Sequence, residues 1–181
     1  MTDFNLFRDE QLVVLVQSTQ DTHAYSELVK RYQMSLYAFL YRYTDEKYLA
    51  EDLTQDTFII AFDKIKLFTQ KSSFKTWLFS IAYREFLQEK RKTGRFYKFI
   101  SKIKQNTTQR YLMKVDDSID LNHALKQLSD NQKAVLLLCD ASGMSHTEAA
   151  VTLDMPLGSL KTYIKQARKI MQQQLEDNHD K

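Results

Sequence analysis

Asp52, Gln55 and Asp56 stand at i, i+3 and i+4 in the string Ala50-Glu51-Asp52-Leu53-Thr54-Gln55-Asp56-Thr57-Phe58, so on a helix they share one exposed face. Paired carboxylates at this spacing are the raw material of a metal or acid–base site. No histidine or further carboxylate is placed to complete one, and the four histidines, at 23, 123, 146 and 179, are scattered. No metal and no cofactor is expected.

A second set lies in Gly143-Met144-Ser145-His146-Thr147-Glu148-Ala149-Ala150. Ser145 and Glu148 have the S-x-x-E spacing of a capping box, in which each side chain satisfies an orphan amide at a helix start. Gly143 suits a left-handed end to the preceding helix. Ala149 and Ala150 are small enough for another helix to cross closely. The short helix ends near Leu153, Asp154-Met155-Pro156 turns the chain, and a second helix starts by Leu157, with Pro tolerated in its first turn. Leu160, Ile164, Ala167, Met171 and Leu175 then form one apolar stripe. The opposite face shows Ser159, Lys161, Thr162, Lys165, Arg168 and Lys169. This is the pattern of a helix-turn-helix whose second helix enters the major groove. Lys and Arg would anchor phosphates, while Ser159, Lys161, Thr162 and Lys165 reach base edges. A helical hairpin with a solvated basic face is the competing reading.

The elements that must position these residues are helical. The chain has 181 residues, of which 43% are hydrophobic and 27% charged, so it can build a core and is not compositionally disordered. It holds 3 Gly and 1 Pro, too few turn residues for a sandwich, a barrel or a phosphate-cradling α/β fold. The single Cys139 excludes an intramolecular disulfide framework and reads as a small hydrophobe within an apolar run. No apolar run approaches the ~20 residues of a membrane span, and Met1–Glu10 lacks the basic-then-apolar form of a signal peptide. A cytoplasmic protein without membrane insertion is expected.

Apolar positions from Tyr25 to Tyr43 keep a three-to-four spacing, and Leu49–Phe68 continues in the same manner after a short apolar Leu12–Gln17. Ser72-Ser73 offers an N-cap for a helix to about Lys92, with Phe74, Trp77, Leu78, Ile81 and Ala82 inward. Thr93–Ser118 loses regular apolar spacing and reads as a basic linker; periodicity resumes at Ile119, and Ser129-Asp130 caps a further run. The expected architecture is all-α, with two small helical domains at 1–94 and 119–176, a linker at 95–118 and a tail at 177–181. Charge follows this partition. Residues 1–70 carry a net −4, residues 71–110 a net +9 and residues 111–181 a net −2. A basic block between two acidic ones is a plausible nucleic-acid footprint.

With these motifs in view, the chain resembles the bacterial RNA polymerase sigma factors of the extracytoplasmic-function group. Its Tyr25–Tyr43 segment, the AEDLTQDTF string at 50–58 and FKTWLFSIA at 74–82 match the family's region 2. About Leu121–Leu175, with GMSHTEAA at 143–150 and PLGSLKTYIKQAR at 156–168, matches region 4. The resemblance implies a non-enzymatic subunit that binds core RNA polymerase and directs it to promoters. It implies that Asp52, Gln55, Asp56 and Phe58 belong to the helix that docks on the polymerase. It implies that the Leu67–Ser73 loop, with Phe68, Lys71, Ser72 and Trp77, lies where the −10 element is melted and a base captured. Ser80, Arg84, Gln88 and Arg91, at i, i+4, i+8 and i+11, would face −10 DNA. Ser145, Ser159, Lys161, Thr162, Lys165 and Arg168 would meet the −35 element. An anti-sigma factor is an expected partner.

The chain departs from the family pattern at Arg84 and Gln88, where many members carry Asn and Asp, so its −10 preference is expected to differ. A stand-alone helix-turn-helix regulator, which would bind duplex DNA alone, is the alternative function.

Overall fold

The computed structural model describes residues 4–97 and 119–179, and among them the backbone is helical with no strand. A 3-10 turn at Phe4–Leu6 leads into α1 (Asp9–Thr19), α2 (Thr22–Thr44), α3 (Lys47–Lys64), a second 3-10 turn (Ile65–Leu67) and α4 (Phe74–Tyr97). After the undescribed stretch come α5 (Ile119–Lys126), α6 (Asp130–Leu136), a π turn at Leu137–Ala141, α7 (His146–Leu153) and α8 (Leu157–His179).

The helix ends follow from local chemistry. Asp21 caps α2, its carboxylate accepting from the His23 and Ala24 amides at 2.8 and 3.0 Å. The expected capping box is present: the Glu148 amide donates to Ser145 Oγ at 3.2 Å, and the Ser145 amide donates to the Glu148 carboxylate at 3.0 Å. Ser129 and Gln132 form a second such box at α6. Gly143 has φ +66°, as its place after the helix requires. The other left-handed helix ends are built without glycine, at Gln20, Asp45 and Asp154, with φ of +55°, +59° and +51°. Each such residue costs about 1 kcal/mol relative to Gly, offset here by amide donors that close the last turn, as from Asp45 to the Tyr41 carbonyl at 2.8 Å.

In the first unit α2, α3 and α4 pack around Leu28, Leu36, Leu40, Leu53, Ala61, Leu78 and Ala82, all buried. Rings interlock along α2 and α4: Phe39 meets Phe79 at 5.5 Å between centroids, and Tyr43 meets Phe86 edge-on at 4.6 Å. α1 lies across this unit through Leu12, Val13 and Val16. The second unit buries the predicted α8 stripe of Leu160, Ile164, Ala167 and Met171 against Leu125, Val135, Leu138, Ala149 and Leu153. Leu175, expected on the same stripe, has no described side chain. α4 runs past the expected boundary at 94 to Tyr97, and α8 continues through residues 177–179 of the expected tail. The remainder of the expected linker, 98–118, lies outside the described residues.

The two units touch through α4 and α7. Thr76, 1% exposed, sends its hydroxyl toward Glu148 Oε1 at 3.4 Å, and Ser73 does the same at 3.5 Å. The Thr152 hydroxyl donates to the Thr76 carbonyl at 3.5 Å, and the Lys75 ammonium donates to the Ser142 carbonyl. Lys90 pairs with Asp130, and Lys126 pairs with Asp45 at 2.8 Å. Tyr43 donates to the Asp130 carbonyl at 3.3 Å while the Lys133 ammonium sits 6.0 Å over its ring. Burial pushes the Lys133 pKa down.

Glu148 therefore caps α7 with one oxygen and meets α4 with the other. Hydrogen bonds from the Ser145 amide and hydroxyl, with lesser ones from Thr76 and Ser73, hold its carboxyl below the usual range. A depressed folded pKa means its contribution is complete above the unfolded value of about 4.3 and is lost as pH falls through the lower folded value. We predict that Glu148→Ala costs about 0.5–2 kcal/mol in urea unfolding, the cost of a lost cap. Glu148→Gln should flatten this part of the acid limb. An unchanged acid limb in Glu148→Gln would show that the charged carboxylate does not stabilise the fold through these bonds.

Candidate polymerase and nucleic-acid interfaces

α3 presents the first candidate face. Its buried positions, Leu53, Thr54, Thr57 and Phe58, turn toward α2 and α4, leaving Asp52, Gln55 and Asp56 exposed together. The Thr54 and Thr57 hydroxyls donate back to the Ala50 and Leu53 carbonyls at 2.6 Å each, while the buried Glu51 Oε1 has no hydrogen-bond partner among the described residues. Phe58 departs from the expectation that it docks. It is buried, and its carbonyl accepts the Tyr25 hydroxyl at 2.5 Å. The large side chain exposed beside the acids is Ile59, 61% accessible. Ile59 lies i+3 from Asp56 and i+4 from Gln55, a position that helical periodicity alone marks.

The expected −10 residues divide into exposed and buried groups. Lys71, Arg84, Gln88 and Arg91 are exposed, and the last three follow one another along one side of α4. The Gln88 amide donates to Glu85 at 3.1 Å. Ser72 and Trp77 are half-buried. Phe68 and Ser80 are corrections to the exposed role expected of them. Phe68 is buried, its ring stacked on Trp77 at 4.8 Å and 25° and edge-on to Phe74 at 6.1 Å. Ser80 is 5% exposed, donates to the Thr76 carbonyl at 2.8 Å and lies one turn beyond Thr76 on the side that meets α7. Its spacing to Arg84 places it on the stripe, but the stripe runs under the second unit at that end.

The helix-turn-helix has the predicted outer face: Ser145, Ser159, Lys161, Thr162, Lys165 and Arg168 are all exposed. Two of them carry local commitments. The Thr162 hydroxyl donates back to the Gly158 carbonyl at 3.1 Å, and Ser145 is occupied as the α7 cap. Arg168 grips Asp140 with a two-pronged contact of 3.0 and 2.6 Å, which raises its pKa further and aims the guanidinium across the helix rather than outward. Ser159, Lys161 and Lys165 are the residues left pointing away from the domain.

Periodicity gave no hint of an apolar groove of about 680 Å³ between the units. Leu121, Leu125, Leu136, Leu137 and Met171 line it, with Arg42 of α2 at one edge and the Asp140–Arg168 pair at the rim. It forms from residues far apart in sequence. Among the described residues no cluster of His, Cys, Asp and Glu could hold a metal, and no helix is long and apolar enough to cross a membrane.

Comparison with known proteins places these surfaces in a family. Residues 28–96 match Sigma-70 region 2, and residues 118–171 match Sigma-70, region 4. The RNA polymerase sigma factor YlaC of Bacillus subtilis is 31% identical over 149 residues, covering 78% of this chain and 86% of the relative. The ECF RNA polymerase sigma factor SigE of Mycolicibacterium smegmatis is 33% identical, covering 85% of this chain; the match spans 61% of that relative's length. Among solved structures, the sigma factor RpoE of Bartonella quintana, in complex with the anti-sigma factor NepR, superposes with a TM-score of 0.70 at 31% identity, over 83% of this chain and 96% of that one. Both regions occur in the order expected of a sigma factor, which favours that reading over a stand-alone helix-turn-helix regulator. On two matched regions, an all-helical fold and relatives above 30% identity, the chain belongs to the extracytoplasmic-function group of the sigma-70 family of RNA polymerase sigma factors.

Proposed function

We propose that this chain binds core RNA polymerase through the α3 face and delivers it to promoters in the cytoplasm, contributing recognition and strand opening rather than catalysis. The observation that carries the reading is the exposed Asp52, Gln55, Asp56 and Ile59 group, acidic and apolar on a helix whose other side is fully used. Acidic residues beside a large apolar side chain suit a partner that offers basic residues around an apolar contact. Domain assignments follow: residues up to the end of α4 handle docking and the −10 element, and residues 119–176 handle the −35 element.

In this reading the 67–73 segment holds an unpaired −10 base, Arg84, Gln88 and Arg91 meet the adjoining DNA, and Ser159, Lys161 and Lys165 enter the −35 major groove. Thr162 and Arg168 contribute once their present partners are exchanged for DNA. Contact by Ser80 requires α4 and α7 to part. The groove bounded by Arg42 and the α5, α6 and α8 leucines is the surface on which an anti-sigma partner would hold the units closed, since it spans both of them. Run-off transcription with purified core polymerase, with and without the chain, tests the whole reading.

Asp52→Ala with Asp56→Ala should abolish core binding and run-off product, at about 2 kcal/mol or more per lost contact, with helical circular dichroism unchanged. Native affinity in the double variant would place the docking face elsewhere. Replacing Lys161 and Lys165 by Ala should weaken −35 binding. Loss at one base pair of about 1–3 kcal/mol marks base reading, and a salt slope lower by about one per lysine marks phosphate anchoring. Unchanged binding removes α8 from the interface. Arg84 brings only donors and a fixed charge where many relatives offer acceptors. Arg84→Asn should therefore reduce the salt dependence of open-complex formation and shift the −10 sequence selected from a randomised pool. If neither moves, Arg84 takes no part.

A further inference from the structure

α1 lies ahead of the matched region 2, which begins at residue 28, and nothing above gives it a task. Its last turn carries Gln17, half-buried against the 3-10 turn that ends α3. Gln17 Nε2 donates to the Ile65 and Phe68 carbonyls, both at 2.8 Å. A carboxamide nitrogen has two N–H groups, and both are used here. Because both partners are carbonyl acceptors, the orientation of the amide is fixed by chemistry. The same two residues close the turn, the Phe68 amide donating to the Ile65 carbonyl at 3.0 Å. Gln17 thus staples the point at which the chain leaves helical structure and the 68–73 segment begins.

That segment needs an outside anchor. Gln70 sits at φ +56°, a conformation that costs a non-glycine residue about 1 kcal/mol. At its far end Ser73 Oγ accepts the Thr76 amide at 3.1 Å, the cap of α4. At its near end the hold is Gln17 together with the Phe68–Trp77 stack. α1 is itself rigidly seated. Asp9 accepts from Arg31 at 2.8 Å and from the Tyr32 hydroxyl, and Arg31 also donates to Glu27 at 2.9 Å and to the Phe4 carbonyl at 3.1 Å. Between α1 and the segment lies a cleft of about 390 Å³, with Glu10 and Val13 on one wall and Phe68, Gln70, Lys71 and Ser72 on the other. Gln17, one turn beyond Val13 on α1, ties that helix to Phe68 on the opposite wall.

We infer that Gln17 is a positioning residue for base capture: through the Ile65 and Phe68 carbonyls it fixes the segment against α1, and so sets the opening into which an unpaired −10 base fits. The inference rests on the reading of the 67–73 segment as the base-capturing element.

The test uses holoenzyme assembled from core polymerase and full-length chain, with −10 strands selected from a randomised pool. Wild type, Gln17→Met and Gln17→Lys are compared; Met keeps length and loses both donors, and Lys restores donors. The readout is the affinity for the selected single strand over the same strand abasic at the enriched unpaired position. Gln17→Met should lower that ratio at least fivefold, with core affinity and −35 duplex affinity within twofold of wild type. Gln17→Lys should recover at least half of the preference. A ratio unchanged in Gln17→Met overturns the inference, as does a loss in which core, −35 and single-strand affinities all fall together, the mark of general destabilisation. A Lys variant no better than Met overturns the donor role. If wild type supports run-off but enriches no unpaired base, the base-capturing reading of the segment fails, and this inference fails with it.

Discussion

α4 packs against α2 and α3 on one side and α7 on the other, inside one contiguous apolar cluster. Toward α2 and α3 it buries Ala82 and the larger Leu78, Phe79 and Phe86, the last three each worth about 1.5–3 kcal/mol in removed apolar surface. Toward α7 its described polar links are hydroxyl contacts of 3.4–3.5 Å and a lysine on a carbonyl, with ion pairs at the rim. Exposed ion pairs contribute about 0–1 kcal/mol. The joint between the units thus adds polar links to an apolar cluster that runs through both of them. The three functional surfaces respond differently to that one joint. The α3 acids are exposed whether it is made or broken. Ser80 is 5% exposed with it made. The apolar groove is lined mostly by the second unit, and the first contributes Arg42 at its edge.

What the sequence made legible is what depends on neighbours within one or two turns. The α2 and α8 stripes, the Ser145–Glu148 box, the Gly143 turn and the exposure of Asp52, Gln55 and Asp56 all follow from spacings of three or four. What was not legible depends on contacts made across the fold. The Phe58 carbonyl accepts the hydroxyl of Tyr25, 33 residues earlier, a contact that no local spacing marks. Arg168 shares the outer face with Lys165 but is claimed by Asp140, 28 residues away. Ser80 fits the Arg84 stripe but is buried, its hydroxyl on the Thr76 carbonyl. The irregular spacing beyond Thr93 suggested a linker, whereas the backbone stays helical to Tyr97.

The basic block at 71–110 illustrates how a charge pattern is changed by folding. Read along the chain it carries +9. In the closed arrangement Lys75 is spent on the Ser142 carbonyl and Lys90 on Asp130, and the Glu148 carboxylate lies against the start of the same helix. The acidic second unit thus neutralises part of the block that its own separation would release. Lys71, Arg84 and Arg91 remain on the surface throughout. Under the proposed promoter role, any opening of the joint would return this positive charge to α4, beside the Arg84 side proposed for DNA. Salt acts on the joint and on the phosphate contact alike. It screens the exposed Lys90–Asp130 and Lys126–Asp45 pairs and favours opening, while it weakens the counterion-release term for DNA. Because the phosphate term scales with every neutralised charge and the described ion pairs at the joint are few, the proposed promoter contact would be the more salt-sensitive of the two.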